Sequence, residues 1–154
     1  MKALVVAGGL PQITLLSELK ERGIETVLVD GSGEPIALAY AYKFYQISIF
    51  DIEGVKKIAK DENVDFAITV CADQVLLVVA QVAEELNLPW YIDYATAKLV
   101  SDKVLMKRVF VENGVPTQKY AVMDELCLEK IKDLKYPLIV KPADAYSSKG
   151  SKRY

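Results

Sequence analysis

Short apolar runs alternate with amphipathic segments along the first 92 residues of the chain. Residues 2–7 form a brief, largely apolar run, as expected for a strand that is covered on both faces. Apolar side chains at three- and four-residue spacing then predict helices, and short β-branched runs predict further strands. The predicted strands are residues 2–7, 27–29, 44–49, 66–70 and 90–92, with helical segments at 11–22, 37–41, 52–59 and 74–86. This alternation predicts an α/β fold with a doubly wound parallel sheet.

The pattern changes after residue 92, where a second region begins. Helical segments are predicted at residues 96–100 and 103–112, and residues 115–117 are predicted to be extended because the residue before a proline avoids the helical region. Next come a predicted strand (120–123), a helix (125–134), a strand (138–141) and a polar loop (143–152). We therefore expect a domain boundary near residues 93–115.

Composition narrows the classes of function. The 154 residues leave room for one domain and part of a second, and 52% of them are hydrophobic. The net charge of −2 without a basic patch argues against a nucleic-acid partner, and no apolar run reaches the length of about 18 residues that a membrane helix needs. The chain has no histidine, which excludes Ser-His and Cys-His nucleophiles and most zinc sites. The two isolated cysteines and the lack of an export signal predict a cytoplasmic protein.

The first strand ends at Gly8 and Gly9, a turn that leads into a helix whose N-terminus can receive an anion. Asp30 ends the second strand about 20 residues later, as a dinucleotide-binding fingerprint requires. The glycine pattern is broken, however, because Leu10 and Pro11 follow the first two glycines. A plain tight turn, a contact to a small ligand and a nicotinamide or flavin site are the three interpretations, and the broken pattern disfavours the last.

Asp73 and Cys71 follow the fourth predicted strand. They are expected at the carboxyl edge of the sheet, where open α/β sheets bind ligands. Helix capping is a sufficient structural reason for Asp73, and burial is one for Cys71. Asp73 therefore has two interpretations, a helix cap and a candidate substrate contact.

The C-terminal third carries more specific motifs. Lys103 follows Asp102 at the start of a helix that continues with Met106-Lys107, and the helix leads into Gly-Val-Pro-Thr at residues 114–117. Residues 136–142 read Tyr-Pro-Leu-Ile-Val-Lys-Pro, and residues 147–150 read Ser-Ser-Lys-Gly. In these motifs the chain resembles the ATP-grasp superfamily, in particular its carbamoyl-phosphate-synthase-like members and carboxylate–amine ligases.

The resemblance implies two groups of binding residues. Lys103 matches the family's first nucleotide-contacting lysine and Lys141 the second, and each supplies a compact positive charge to ATP phosphates. Ser147, Ser148, Lys149 and Gly150 match the loop that folds over the phosphates, offering backbone N–H groups and hydroxyls. Gly8, Gly9, Leu10 and Asp73 are the expected substrate contacts of the preceding unit.

The resemblance also implies how the chain is divided. Residues 1–95 correspond to a Rossmann-like pre-ATP-grasp domain, residues 96–115 to a helical linker and residues 116–154 to a truncated start of the α+β ATP-grasp domain. Residues 151–154 are polar and are expected to end the chain where the family resumes a strand. The family's Mg²⁺ ligands, adenine pocket and catalytic arginine lie beyond residue 154. We therefore expect an N-terminal fragment that contains no catalytic residue and is inactive alone.

The implied reaction of the whole protein is ATP-dependent ligation of a carboxylate to an amine or ammonia through an acylphosphate. ATP and Mg²⁺ are the expected cofactors, small-molecule carboxylates and amines the expected partners, and a homodimer is one option for its assembly. The alternatives are a non-catalytic nucleotide- or metabolite-binding module and, less favoured, a Rossmann-type oxidoreductase.

Overall fold

The structure is a computed structural model that describes residues 1–89, 91–123, 125, 127–143 and 150–154, without the side chain of Leu128. The chain divides into two compact units, Met1–Lys98 and Leu99–Tyr154. The strands are β1 (Lys2–Val6), β2 (Glu25–Asp30), β3 (Lys43–Gln46), β4 (Phe66–Ile68), β5 (Ile139–Val140) and β6 (Lys152–Arg153). The helices are α1 (Leu10–Glu21), α2 (Ile52–Asp61), α3 (Asp73–Glu85), α4 (Tyr94–Ser101) and α5 (Lys103–Glu112), with 3₁₀ turns at Leu38–Tyr40 and Leu128–Ile131.

The first unit is built on a parallel sheet with the strand order β3-β2-β1-β4. Val5 of β1 lies between Leu28 of β2 and Ile68 of β4, so β1 is paired on both sides. The chain builds the sheet outward from β1 to β3 and then crosses back to place β4 on the other side of β1. The strand order therefore reverses between β1 and β4, which makes their carboxyl ends the topological switch point of the sheet.

Helices cover both faces of this sheet. On one face, Leu4, Val6, Val27 and Val29 pack with the apolar side chains of α2 and α3. On the other face, residues at the alternate strand positions, Ala3, Val5 and Leu28, pack with Leu16 and Leu19 of α1. Burial on both faces explains why β1 has a continuous apolar sequence rather than an alternating one. The predicted doubly wound α/β fold is confirmed.

Helices α1, α2, α3 and α5 end in the same way. In α1, Gly23 has a φ of 70°, its N–H donates to Lys20 O, and the N–H of Ile24 donates to Leu19 O. This pair of bonds satisfies carbonyls that the last turn would otherwise leave open, and an apolar residue follows. The same arrangement occurs at Asn63-Val64, Asn87-Leu88 and Gly114-Val115. Each helix therefore stops at a glycine or asparagine that the sequence places there.

Two predictions for the first unit are wrong. Tyr91 and Ile92 form a bend rather than the fifth strand, and Trp90 lies outside the described residues. Tyr91 is instead held through its side chain, whose hydroxyl donates to Thr69 O at 3.2 Å. Asp73 does not cap α3. It is the first residue of the helix, and Ala72 occupies the N-cap position. The described part of the sheet accordingly has four strands.

The second unit is less regular than its pattern predicted. Residues 120–123 form no strand, and the predicted helix 125–134 is reduced to the 3₁₀ turn, with Leu126 outside the described residues. A short apolar segment becomes a strand only when it finds a partner strand. Residues 139–140 do find one, because β5 pairs antiparallel with β6. The expectation that residues 151–154 do not resume a strand is thus wrong.

No helix among the described residues combines the length and the apolar character that crossing a membrane requires.

Candidate functional site

Two loops meet at the switch point of the first unit. One follows β1 and contains Gly8 and Gly9, and the other follows β4 and contains residues 69–72. Gln12 joins them, because its Nε2 donates to Val70 O at 2.7 Å, and Thr69 Oγ1 donates to Val6 O at 2.8 Å. Gln12 is 2% exposed and Thr69 5%; the Thr69 bond is buried, and the Gln12 bond is partly buried. These two side chains fix the shape of the crevice.

Gln12 is not among the predicted site residues, although the sequence carries a signal for it. Gln12, Leu16 and Leu19 are spaced as i, i+4 and i+7 on the buried face of α1. A polar side chain inside an apolar helical stripe requires a hydrogen-bond partner, because burying an unsatisfied amide is costly. Here the partner is the main chain of the neighbouring loop.

Gly8 lies where the β1 loop touches the loop after β2. Its N–H donates to Asp30 Oδ2 at 2.7 Å, and its carbonyl accepts from Ala37 N at 3.0 Å. A Cβ on Gly8 would lie 2.6 Å from Pro35 Cβ, which is closer than real carbon atoms approach. The second oxygen of Asp30 accepts from Ser32 N at 2.8 Å. Asp30 is therefore engaged in holding this turn, which favours the tight-turn interpretation over a dinucleotide site.

The backbone is unusual on both sides of the crevice. Ala7, directly after β1, has a φ of 78°, and Cys71, after β4, has a φ of 52°. Residues other than glycine adopt such angles rarely, at a cost on the order of 1–3 kcal/mol. Cys71 is also exposed, so the predicted burial of its side chain is wrong. Surrounding contacts such as the Gln12 bond hold these strained residues in place.

The predicted substrate contacts all lie along this edge. Gly9 is the N-cap of α1, and Leu10, its first residue, is 67% exposed. Asp73 is the first residue of α3, at the other side of the switch point. Gly8 and Gly9 therefore lie in the loop after β1, and Leu10 and Asp73 begin the helices that follow the two loops.

The predicted nucleotide residues lie in the second unit. Asp102 caps α5, its Oδ1 accepting from Val104 N at 2.8 Å and Leu105 N at 3.0 Å. The cap fixes Lys103 at the first position of the helix, and Lys103 Nζ donates to Ala143 O at 3.2 Å. Lys141 is exposed and directly follows β5, two residues before Ala143. The fold thus brings Lys103 to the segment that carries Lys141, although 38 residues separate the two lysines.

Gly150, the last residue of the predicted phosphate loop, lies close to Pro142. Gly150 has a φ of 72°, and a Cβ on it would lie 3.0 Å from Pro142 Cγ. A side chain at residue 150 would be disfavoured both by this angle and by the contact. Ser147, Ser148 and Lys149 lie outside the described residues.

The Gly-Val-Pro-Thr motif is tied to the same helix. Lys107 Nζ donates to Thr117 Oγ1 and lies 5.9 Å from the centre of the Tyr120 ring. The two motifs that looked separate in the sequence are therefore joined by a side-chain contact. Lys107 holds the segment after α5 against the helix.

An ionic cluster centred on Glu62 lies at the opposite, amino edge of the sheet. Glu62 accepts from Lys43 Nζ, Tyr45 OH and Lys2 Nζ. These hydrogen bonds, that from Lys43 first, lower the pKa of Glu62 to about 2. The same contacts raise the pKa of Lys43. The cluster joins β1, β3 and the end of α2, and its role is structural.

Along the chain, a Rossmann-like α/β unit is followed by a helix that begins with Lys103 and by a strand that is followed directly by Lys141. Residues 18–90 match the family model of the ATP-grasp N-terminal domain. The chain belongs to the ATP-grasp superfamily, and the resemblance seen in the sequence motifs is confirmed.

Relatives support this assignment across the chain. A formate-dependent phosphoribosylglycinamide formyltransferase of Sulfurisphaera tokodaii is 30% identical over 97% of this chain and 38% of its own length. A carbamoyl-phosphate synthase of Methanobrevibacter smithii is 26% identical over 87% of this chain and 38% of its own length. The N5-carboxyaminoimidazole synthetase of Staphylococcus aureus, solved with ADP, shares the fold with a TM-score of 0.79, at 21% identity over 99% of this chain and 40% of that one. This chain spans about two fifths of the length of these proteins.

Proposed function

We propose that this chain is the N-terminal part of an ATP-dependent ligase that joins a carboxylate to an amine or ammonia. In the proposed reaction a carboxylate oxygen attacks the γ-phosphorus of ATP, and ADP leaves. The amine nitrogen then attacks the carbonyl carbon of the acylphosphate, and phosphate leaves. Membership of the ATP-grasp superfamily and the relatives' names support this chemistry.

The observation that carries the proposal is the contact between Lys103 Nζ and Ala143 O. This contact joins Lys103 to the segment that bears Lys141 and leads into the predicted phosphate loop. Two lysines near a Ser- and Gly-containing loop suit a triphosphate, whose charge they offset. In this proposal Lys103 and Lys141 contact the phosphates, and Ser147, Ser148, Lys149 and Gly150 close over them.

The two regions then have separate tasks. Residues 1–95 bind a substrate through Gly8, Gly9, Leu10 and Asp73, residues 96–115 form the linker, and residues 116–154 begin the nucleotide-binding domain. The described residues contain no group of three or more Cys, Asp or Glu side chains placed to hold a metal ion. We assign the Mg²⁺ ligands to residues beyond 154, and we expect the 154-residue chain alone to lack ligase activity. The small-molecule carboxylate and amine are its proposed partners, in the cytoplasm, where the two free cysteines stay reduced.

A second candidate is a non-catalytic nucleotide- or metabolite-binding module. The observation that favours it is the crevice between β1 and β4, whose loops are held together by contacts within the first unit alone. Such a module would bind its ligand but release no phosphate.

ATP affinity distinguishes correct from incorrect site assignments. Lys103→Met and Lys141→Met are made in a polypeptide extended beyond Tyr154 to the length of its relatives, and ATP binding is measured by calorimetry. Each variant should lose about 1.5–3 kcal/mol of binding free energy, the usual range for a hydrogen bond to a charged group. Lys119→Met, at an exposed lysine of the same unit, is the matched control and should bind as the parent does.

The opposite result would remove the central residues of the proposal. If Lys103→Met and Lys141→Met both fold and bind ATP as tightly as Lys119→Met, neither lysine contacts the phosphates. If the parent binds ATP but releases no phosphate with any carboxylate–amine pair, the non-catalytic module is the better description.

A further inference from the structure

Charge is distributed unevenly between the two edges of the parallel sheet. Residues 1–89 contain seven lysines and arginines, and none lies in the segments at the carboxyl edge, residues 7–12, 30–37, 47–54 and 69–75. All charged side chains in these segments are acidic, namely Asp30, Glu34, Asp51, Glu53 and Asp73, of which Glu53 forms a salt bridge with Lys56 at 2.7 Å. The cations lie elsewhere, for example at Lys2 and Lys43, which begin strands at the amino edge. The field at the crevice of this unit is therefore negative, which favours cations and disfavours anions.

The β1 loop also offers few donors to an anion. The N–H of Gly8 is used by Asp30, and that of Gln12 donates to Gly9 O at 3.1 Å. Pro11 has no N–H at all, and it stands in the first turn of α1, where anion-binding helices present their donors. A phosphate at this helix start would find neither a lysine nor a full set of backbone donors within the unit.

The loop presents an acceptor instead. Because Gln12 Nε2 donates to a carbonyl, the orientation of the carboxamide is fixed and its Oε1 is the free end. This oxygen lies 3.3 Å from the position that a Cβ on Gly9 would take, so it adjoins the loop backbone. Among the described residues no donor is bonded to it, and it keeps some contact with solvent although the residue is 2% exposed. No protein donor is bonded to this solvent-accessible oxygen, so it is available to a ligand that donates.

We propose that the crevice between β1 and β4 binds the positively charged amine of a substrate rather than a phosphate ester. An ammonium group supplies three donors and a positive charge, which match the Gln12 oxygen and the acidic edge. The inference rests on the proposed function for the reaction and adds the chemical class of the substrate held by the first unit. It sets this chain apart from the relatives whose names contain a phosphoribosyl compound.

The test is a titration of the ¹⁵N-labelled 154-residue chain, followed by amide chemical shifts at pH 7. The probes are ethylammonium, ethyl phosphate and, as a neutral control, ethanol. Ethylammonium should cause saturable shifts at Gly9, Gln12 and Ala72, whereas ethyl phosphate and ethanol at equal concentration should cause none. Saturable shifts with ethyl phosphate at these amides, or none with ethylammonium, would overturn the proposal.

A pair of charge-neutralising variants tests where the cation is held. Asp73→Asn should weaken the apparent affinity for ethylammonium by up to about fivefold, the upper end of what one solvent-exposed ion pair contributes. Asp61→Asn removes the same charge at the amino edge and should leave the affinity unchanged. Equal affinities of the two variants would show that no local site exists. ATP is absent and Lys103 and Lys141 are not involved, so a failure here is distinguishable from a failure of the ligase proposal.

Discussion

Replacing Gly8 by alanine should destabilise the first unit more than the same change at the neighbouring Gly9. The structure puts a Cβ on Gly8 at 2.6 Å from Pro35 Cβ and 3.1 Å from Pro35 Cγ. Carbon atoms prefer separations of about 3.5–4.0 Å, so the two loops must part by about 1 Å. On Gly9 the nearest atom would be Gln12 Oε1 at 3.3 Å, a contact that a shift of a few tenths of an ångström relieves.

The magnitude follows from what holds Gly8 in place. Its N–H is bonded to Asp30, the last residue of β2, and its carbonyl to Ala37 N, so its two partners flank the loop that contains Pro35. Moving away from Pro35 therefore strains the same bonds that define the turn. Overpacking costs about 1–3 kcal/mol, and weakening a bond to a carboxylate adds up to about 1.5–3 kcal/mol. Loss of glycine flexibility in the unfolded chain stabilises both variants by about 0.4–1 kcal/mol and cancels in the comparison. We expect Gly8→Ala to be about 2–4 kcal/mol less stable than Gly9→Ala.

Urea unfolding followed by circular dichroism measures this difference, and hydrogen exchange at the amides of Val5 and Leu28 assigns it to the first unit. Gly8→Ala combined with Pro35→Gly removes both contacting carbons and should lose less stability than the two single variants together. Unfolding free energies of Gly8→Ala and Gly9→Ala that agree within about 0.5 kcal/mol would refute the reasoning.

Two further predictions concern charged side chains. Lys43 and its neighbours hold the pKa of Glu62 near 2, below the ordinary 4.5, so the stabilising effect of this carboxylate is present above pH 4.5 and is lost as the pH falls toward 2. Glu62→Gln should flatten the acid dependence of the urea midpoint in that range, while exposed Glu18→Gln should not; an unchanged slope in Glu62→Gln would contradict the assignment. Asp102→Ala removes the cap of α5 and should reduce the protection of its amides from exchange by about 1 kcal/mol, with exposed Asp133→Ala as the control. Equal protection in the two variants would show that the cap contributes nothing.

Local sequence determined the helices and strands in which buried apolar side chains recur at regular spacing. The bounds of α5 agree with its predicted range because a capping Asp102 begins it and the Asn113-Gly114 pair ends it. The residues of β1 and the apolar stripes of α2 and α3 are likewise visible in the pattern, since each covers a face of one sheet. The family was recognisable for the same reason, because the motifs around Lys103 and Lys141 are contiguous in the sequence.

The tertiary structure decided what depends on partners distant in the chain. Residues 152–153 have no apolar pattern, and they form a strand because residues 139–140 lie opposite them. Tyr91 is an aromatic residue of the kind that strands favour, yet it pairs with no strand among the described residues. Its hydroxyl donates to Thr69 O instead. The crevice depends in the same way on Gln12, which bonds to a carbonyl 58 residues away. The spacing of apolar residues indicates which face of a helix or strand is buried. It does not indicate which distant group will form a hydrogen bond with a given polar atom. The fold class therefore followed from the sequence, and the contacts that shape the candidate site followed only from the folded chain.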